Sequence, residues 1–555
     1  MKLIAFLFKH SRGTVILAAL ISIIGGVSSA ALIALISNNF IRSEPQAQGM
    51  IWYFGGLVLI ALAANLVSES LLNSLSERTL YDLRMGLCRQ ILAAPLRRLE
   101  EVGAHRLLAV LTDDIPHLSR ALLSVPMLSI NLTLLVGCLI YLGWLSITML
   151  LPLIIFLILA VVSVESLEWF AKRYLKSARE EWNGLLKHFH ALTEGNKELK
   201  LHRNRREAFV TENLEPTARV FRQQTLKGRN IYTVASSWTQ ALYFIVIGLL
   251  LFAHSPNISI QTLIGYTVTF LFMRSPIIML INIIPLYGHA SISLQKVNEL
   301  SLSLAAVSYT NDSDEQPETT MSWDYLRLKG ITHSYYQEHE GRNFILGPLD
   351  LTFRPGELIL VVGGNGSGKT TFAKILTGLY APESGEIQMN GHLITNENRD
   401  HYRQNFSVVF SEFYLFEQLL GLGYLDLDTR AREYLTKLQL DHKVKVRDGR
   451  LSTTELSRGQ RKRLALLTSY LEDRPIYVFD EWAADQDPLF KQIFYHQLLP
   501  ELKTKGKTVI VISHDDRYYH IADRIIKLDY GKIEYDKCNQ NQNQQHNAEV
   551  MARPC

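Results

Sequence analysis

Residues Leu358–Thr371 read LILVVGGNGSGKTT. An apolar run, a glycine-rich turn and Lys-Thr-Thr spell a buried strand, a phosphate loop and the first turn of a helix. The spacing Gly363-x-x-x-x-Gly368-Lys369-Thr370 carries a definite chemistry. Glycines let the backbone N–H groups of Gly363, Gly364, Asn365, Gly366, Ser367 and Gly368 turn inward around phosphate oxygens, and the helix N-terminus adds its dipole. Lys369 is placed to bridge the β- and γ-phosphates, and the Thr370 hydroxyl, followed by Thr371, to hold Mg²⁺. A strand that delivers such a loop to a helix predicts an α/β domain that binds ATP.

Toward the C-terminus, Ile476–Glu481 reads IYVFDE. Four apolar residues ending in two acids predict a buried strand with carboxylates at its C-terminal tip, where open α/β sheets bind ligands. Asp480 is then expected to orient the Mg²⁺ shell, and Glu481 to position and polarise an attacking water. A further apolar strand ends at Ser513-His514. Strand-like and helix-like runs alternate from about residue 326 to 537. The stretch before them, 305–325, gathers Asn, Asp, Ser, Glu and Pro and reads as a linker. The stretch after them, 538–555, is Asn/Gln-rich and reads as a disordered tail.

Residues 1–304 are different. Six long apolar runs occur there: Thr14–Ser37, Ile51–Ser68, Ala121–Trp144, Ser146–Val164, Ile231–Ala253 and Ser259–Leu286. Each reaches the roughly 18–20 residues that cross a hydrocarbon core of about 30 Å. Basic residues gather between runs two and three (Arg78, Arg84, Arg89, Arg97, Arg98, Arg106, Arg120) and between runs four and five, whereas the alternate loops hold only Arg42. By the positive-inside rule both termini are cytoplasmic. The two long basic segments have few helix breakers and are expected to run below the membrane as helical hairpins. The whole chain has 555 residues, 48% hydrophobic, with a net charge of +4 and four cysteines. That composition excludes a disordered chain and a disulfide-built scaffold, and gives no electrostatic footprint for nucleic acid.

Between the two nucleotide stretches lies Leu456-Ser457-Arg458-Gly459-Gln460. It resembles the Leu-Ser-Gly-Gly-Gln signature of the ATP-binding cassette (ABC) transporter family, with Arg458 at the third position. The resemblance implies a multi-domain chain: an all-α, six-helix transmembrane exporter domain followed by an α/β P-loop nucleotide-binding domain. It also implies that Ser457, Gly459 and Gln460 close on the nucleotide held by a second copy. One such domain and six spans correspond to a half-transporter that works as a homodimer. Asp487 matches the family's cross-dimer Asp, His514 the switch histidine at the γ-phosphate, and Tyr335 the aromatic that stacks on adenine, with Tyr336 as the alternative. The chain departs from the family at Ser411, where a Mg²⁺-contacting Gln is usual; Glu412 is a second candidate there.

Four stretches resemble the bacterial cyclic-peptide and siderophore exporter group, which includes the pyoverdine, syringomycin and lasso-peptide microcin exporters: Asp480–Pro488, Gly363–Lys369, Ser513–Asp516 and Phe270–Pro276, with Trp482 in place of the usual Pro. The implied function is ATP-driven export of a peptide across the inner membrane. A lipid or multidrug exporter, and an ATP-gated channel or regulator, are the alternatives. Arg274 is a lone charge within the sixth run, and charges there usually face a water-filled cavity. With Glu69 and Glu165, expected at a similar depth and as ion-pair partners, it forms the candidate substrate cavity.

Overall fold

The computed structural model describes residues 12–41, 48–252, 259–305, 323–337, 342–423 and 426–539. Most of the expected linker and tail, residues 306–322 and 540–555, lies outside them. The chain divides into two compact units, Met1–Leu87 with Leu108–Leu300, and Cys88–Leu107 with Ser301–Cys555.

The first unit is built on six long helices: α1 (Arg12–Ile41), α2 (Gln48–Ala93), α3 (Val125–Leu145), α4 (Ile147–Glu194), α5 (Glu215–Phe252) and α6 (Ile260–Ala305). Among the described residues, six helices are long and apolar enough to cross a membrane. At 1.5 Å per residue, the 48 residues of α4 extend about 72 Å, more than twice a hydrocarbon core. The excess length is the helical continuation expected of the basic segments. On α1, Ile16, Leu20, Ile23 and Val27 form an exposed apolar stripe, which only a lipid solvent favours. With tails outside as apolar as the core, small and polar side chains join the helices. The Ser22 and Ser68 hydroxyls of α1 and α2 are 2.5 Å apart. The Tyr266 hydroxyl of α6 donates to the Leu142 and Ser146 carbonyls, 2.8 and 2.6 Å away, at the α3–α4 turn.

In the second unit, β1 (Leu326–Gln337) and β2 (Arg342–Phe353) pair antiparallel. They join β4 (Ser384–Met389) and β5 (His392–Leu393) in a four-stranded sheet of order β2-β1-β4-β5. A six-stranded sheet of order β12-β11-β3-β10-β9-β6 holds β3 (Leu358–Val362), β6 (Phe406–Val409), β9 (Ile476–Asp480), β10 (Thr508–Ile512), β11 (Arg524–Asp529) and β12 (Lys532–Cys538). It is parallel except for the β11–β12 edge, and β7 (Val446–Arg447) and β8 (Arg450–Leu451) pair apart from it. The strands β3, β9 and β10 are buried throughout, as a sheet covered on both faces requires. Period-two alternation then sorts their residues. Leu358, Leu360, Tyr477, Phe479, Val509 and Val511 face one core, with Leu435 of α8 (Leu427–Lys437) and Leu464 and Leu467 of α9 (Arg458–Glu472). Ile359, Val361, Val478 and Ile510 face the other, with Phe372 and Ile375 of α7 (Lys369–Leu376). Because β3, β9 and β10 are adjacent and parallel, the loops after them emerge at one edge, and the site assembles there.

Candidate nucleotide site

The phosphate loop follows β3 directly. Gly363 has φ 153°, and a Cβ there would stand 2.2 Å from the Leu528 carbonyl oxygen. Only glycine fits, so the turn is fixed by steric exclusion. Lys369 opens α7, is 5% exposed, and its ammonium donates to the Gly363 and Gly364 carbonyls at 3.0 and 2.8 Å. Burial holds its pKa below the ordinary lysine value, against the opposing pull of the Glu481 and Asp480 carboxylates. A buried ammonium with acids nearby is poised to gain from a phosphate.

Asp480 ends β9 with no exposure. One carboxylate oxygen accepts from the Ser411 hydroxyl at 3.3 Å; the other is buried without a partner. Its pKa is raised by burial, a rise that the nearby Thr370 and Ser411 hydroxyls oppose. A buried, unsatisfied oxygen costs stability unless something else occupies it. The Asp480 carboxylate with the hydroxyls of Thr370 and Ser411 is a hard-oxygen set that suits Mg²⁺, which keeps several waters and takes few protein ligands. The Ser367 hydroxyl in the loop is likewise buried without a partner. Glu481 follows in a left-handed conformation, φ 50°, and its Oε1 lies 2.6 Å from His514 Nε2 after β10. The structure therefore brings Lys369, Thr370, Ser411, Asp480, Glu481 and His514 together. Tyr335 lies in β1 opposite Phe344, whose ring stands 3.2 Å from where a Cβ at Gly368 would be.

The signature residues form a second cluster. Ser457 caps α9 in a reciprocal capping box with Gln460. A Cβ on Gly459 would be 2.7 Å from the Asp485 carbonyl oxygen, so the helix start packs against that loop. Asp487 caps the short helix Pro488–Ile493 by accepting the Phe490 N–H at 2.9 Å and pairs with Arg463. The Phe490 N–H, ahead of Arg463, holds its carboxyl below the usual range. Among the described residues no hydrogen bond joins Ser457–Gln460 to the Gly363–Thr371 loop.

The membrane-side expectation changes. Arg274 does not pair with Glu69 or Glu165 among the described residues. Its guanidinium lies 5.2 Å from the centre of the Tyr243 ring on α5, and Glu165 is taken by Lys172 at 2.8 Å on its own helix. An intrahelical lysine two turns away was a nearer partner than an arginine on another helix.

Sequence reasoning missed one contact network. Within the second unit, Arg97 pairs with Glu383 at 2.8 Å, and Glu100 with Lys374 at 2.8 Å and with the Tyr380 hydroxyl. A hydrogen bond from Ser334, then one from Arg97, lowers the Glu383 pKa. The available signal was the mixed run Arg97-Arg98-Leu99-Glu100-Glu101 beside Pro95, which breaks the basic character of its segment.

Residues 13–277 match the ABC transporter transmembrane region and residues 346–484 the ABC transporter family. The chain is 36% identical over 539 residues to the ATP-binding protein SyrD of Pseudomonas syringae pv. syringae, covering 94% of each chain. It is 24% identical over 538 residues to the ATP-dependent lipid A-core flippase of Alkalilimnicola ehrlichii, covering 90% of this chain and 86% of that one. The fold matches a bacterial Atm1-family ABC exporter solved with ATP bound, at a TM-score of 0.67, 16% identity and 96% coverage of both chains. With six membrane-capable helices and an ATPase domain in one polypeptide, this chain belongs to the ABC transporter family, as a multi-pass half-transporter that couples ATP hydrolysis to export.

Proposed function

We propose that the chain exports a cyclic peptide or peptide siderophore across the bacterial inner membrane, as an alternating-access homodimer with both termini in the cytoplasm. ABC half-transporters generally work as dimers. The observation that carries the homodimer is the division of the site: the Gly363–Thr371 loop and the Ser457–Gln460 helix start are separate clusters of one chain. Each is half of a composite site when one copy's loop faces the other copy's signature.

In that site the loop amides and Lys369 hold the phosphates, and the α9 N-terminus and Ser457 add donors from across the dimer. Asp480, Thr370 and Ser411 are the residues that would hold Mg²⁺, which neutralises charge on the β- and γ-phosphates. Glu481 takes a proton from the attacking water, and His514 holds the Glu481 carboxylate and reaches the γ-phosphate. ATP must favour the closed dimer by about 5.5 kcal/mol to move it from 1:99 to 99:1.

The substrate class rests on the resemblance of Asp480–Pro488, Ser513–Asp516 and Phe270–Pro276 to the cyclic-peptide and siderophore group. A lipid exporter is the second reading, favoured by the likeness to the lipid A-core flippases. ATP-driven uptake of cyclic peptides and peptide siderophores into inside-out vesicles tests this, with Glu481→Gln as control. Uptake that the mutant loses is the expected result. Robust ATPase without uptake of any peptide moves the assignment to lipid or drug, and leakage that survives the mutation points to a channel.

Arg274, stacked on Tyr243, is placed in this reading as a cavity cation for peptide carboxylates. Arg274→Ala is expected to abolish stimulation of the ATPase by anionic peptides while leaving the basal rate unchanged. A change only in folding yield would remove Arg274 from the cavity.

A further inference from the structure

We propose that Lys462 is a positioning residue that fixes Glu481 to the signature helix. The inference rests on the reading of Glu481 as the group that activates water.

Glu481 is a non-glycine residue held in the left-handed region, φ 50° and ψ 31°. Such a backbone is strained and persists only where its surroundings over-determine it. Three contacts do so here. The Glu481 N–H donates to the Ile512 carbonyl at 3.0 Å. The Glu481 carbonyl accepts from the Lys462 ammonium at 2.8 Å. The next residue, Trp482, donates its indole N–H to the Lys462 carbonyl at 2.8 Å. Residue 462 thus grips the 481–482 segment with both its side chain and its main chain.

Lys462 lies on α9 and is only 2% exposed, which for an ammonium demands a full set of partners. Its second partner is Asp485, 2.7 Å away, and the same carboxylate holds Arg458 at 3.2 Å. Arg458 stands inside the Ser457–Gln460 start of α9. Asp485 therefore ties the first turn of the helix to its second, and Lys462 ties the second to Glu481. Gln486 reinforces the joint by donating to the Gly459 carbonyl at 3.0 Å and accepting from Arg463 at 2.9 Å. Among the described residues, no hydrogen bond or ion pair joins Lys462, Asp485 or Gln486 to the phosphate loop. A displacement of the signature helix must move the Glu481 backbone, and with it the carboxylate beside His514. Closure of the signature on a nucleotide in one composite site is thereby read by Glu481, the base of the other site.

Lys462→Met keeps most of the apolar stem and removes the ammonium. A misplaced base lowers the chemical step without touching the phosphate cradle. Steady-state ATPase of the full chain in lipid nanodiscs is expected to show kcat down about tenfold or more, with KM for ATP within about threefold of wild type. Lys462→Gln, which keeps a donor without the charge, is expected to recover to within about threefold of wild type. Should Lys462→Met not accumulate as folded protein, Asp485→Asn releases the ammonium from a partly exposed position and is expected to lower kcat about threefold or more at unchanged KM. Wild-type kcat in Lys462→Met beside an inactive Glu481→Gln overturns this inference alone. So does wild-type kcat in Asp485→Asn, a Lys462→Gln that stays as impaired as Lys462→Met, or a parallel loss of nucleotide affinity in Lys462→Met. Full activity in Glu481→Gln overturns the reading of Glu481 itself.

Discussion

Glu481→Gln is expected to lower ATP hydrolysis by about 10²–10⁴-fold, the usual worth of a positioned general base, while ATP stays bound. The substitution is nearly isosteric and leaves every group of the phosphate cradle in place. Lys369 keeps its contacts to the Gly363 and Gly364 carbonyls, and Asp480 keeps the Ser411 hydroxyl. The amide also keeps an oxygen for His514 Nε2, now 2.6 Å from Glu481 Oε1. What it loses is the capacity to accept the water's proton. Phosphate release and retention of labelled ATP, measured together on the full chain, separate the two effects. Slow release with ATP retained places Glu481 at the chemical step. Undiminished release removes it from that role, and loss of both places it in nucleotide binding instead.

The parts of this chain that were legible in its sequence are those whose signal is local. The β3 strand, the loop and Lys369 lie within one short stretch, and the same is true of Asp480 and Glu481 at the end of β9. Their roles follow from side-chain chemistry placed at a strand tip. The six spans were legible because bilayer thickness fixes a minimum apolar length. The bond from the Ser411 hydroxyl to Asp480 could be anticipated only through the family resemblance, since nothing near Ser411 in the sequence points to that carboxylate.

What remained illegible depends on partners far apart in sequence. Arg97 is a surface charge on the helix Leu96–Val102 and Glu383 one in the bend before β4, and charge alone does not say which opposite charge is in reach. Arg274 shows the same limit from the other side. The sequence offered it two acids, and the fold gave one of them to Lys172 and placed Arg274 over an aromatic ring instead. Lys462 sits in the basic run Arg461–Arg463, in which nothing marks which of the three charges is buried. Its burial is decided by Asp485 and by the Glu481 carbonyl, neither of which leaves a mark on its neighbours.

Trp482→Ala is expected to cost about 3–5 kcal/mol of ATPase-domain stability, the range for removing a fully buried large aromatic. Trp482 has no exposure, stacks on Phe494 at 4.3 Å between ring centres and stands 6.0 Å from Phe490. Its indole N–H is satisfied by the Lys462 carbonyl, so truncation leaves a cavity and removes that hydrogen bond together. Trp482→Phe retains the stack and most of the volume, and is expected to lose about 1–2 kcal/mol, from the lost indole hydrogen bond and the smaller ring. A chain with two units does not unfold in one step, so the quantity to follow is the transition of the ATPase domain, by Trp and Tyr fluorescence of the full chain in nanodiscs. A transition that falls in the order wild type, Phe, Ala establishes Trp482 as the keystone between the β9 tip and the 488–494 helix. An Ala variant that melts with the wild type would mean that Phe490 and Phe494 close over the gap, and that Glu481 is held by Lys462 and Ile512 without help from the indole.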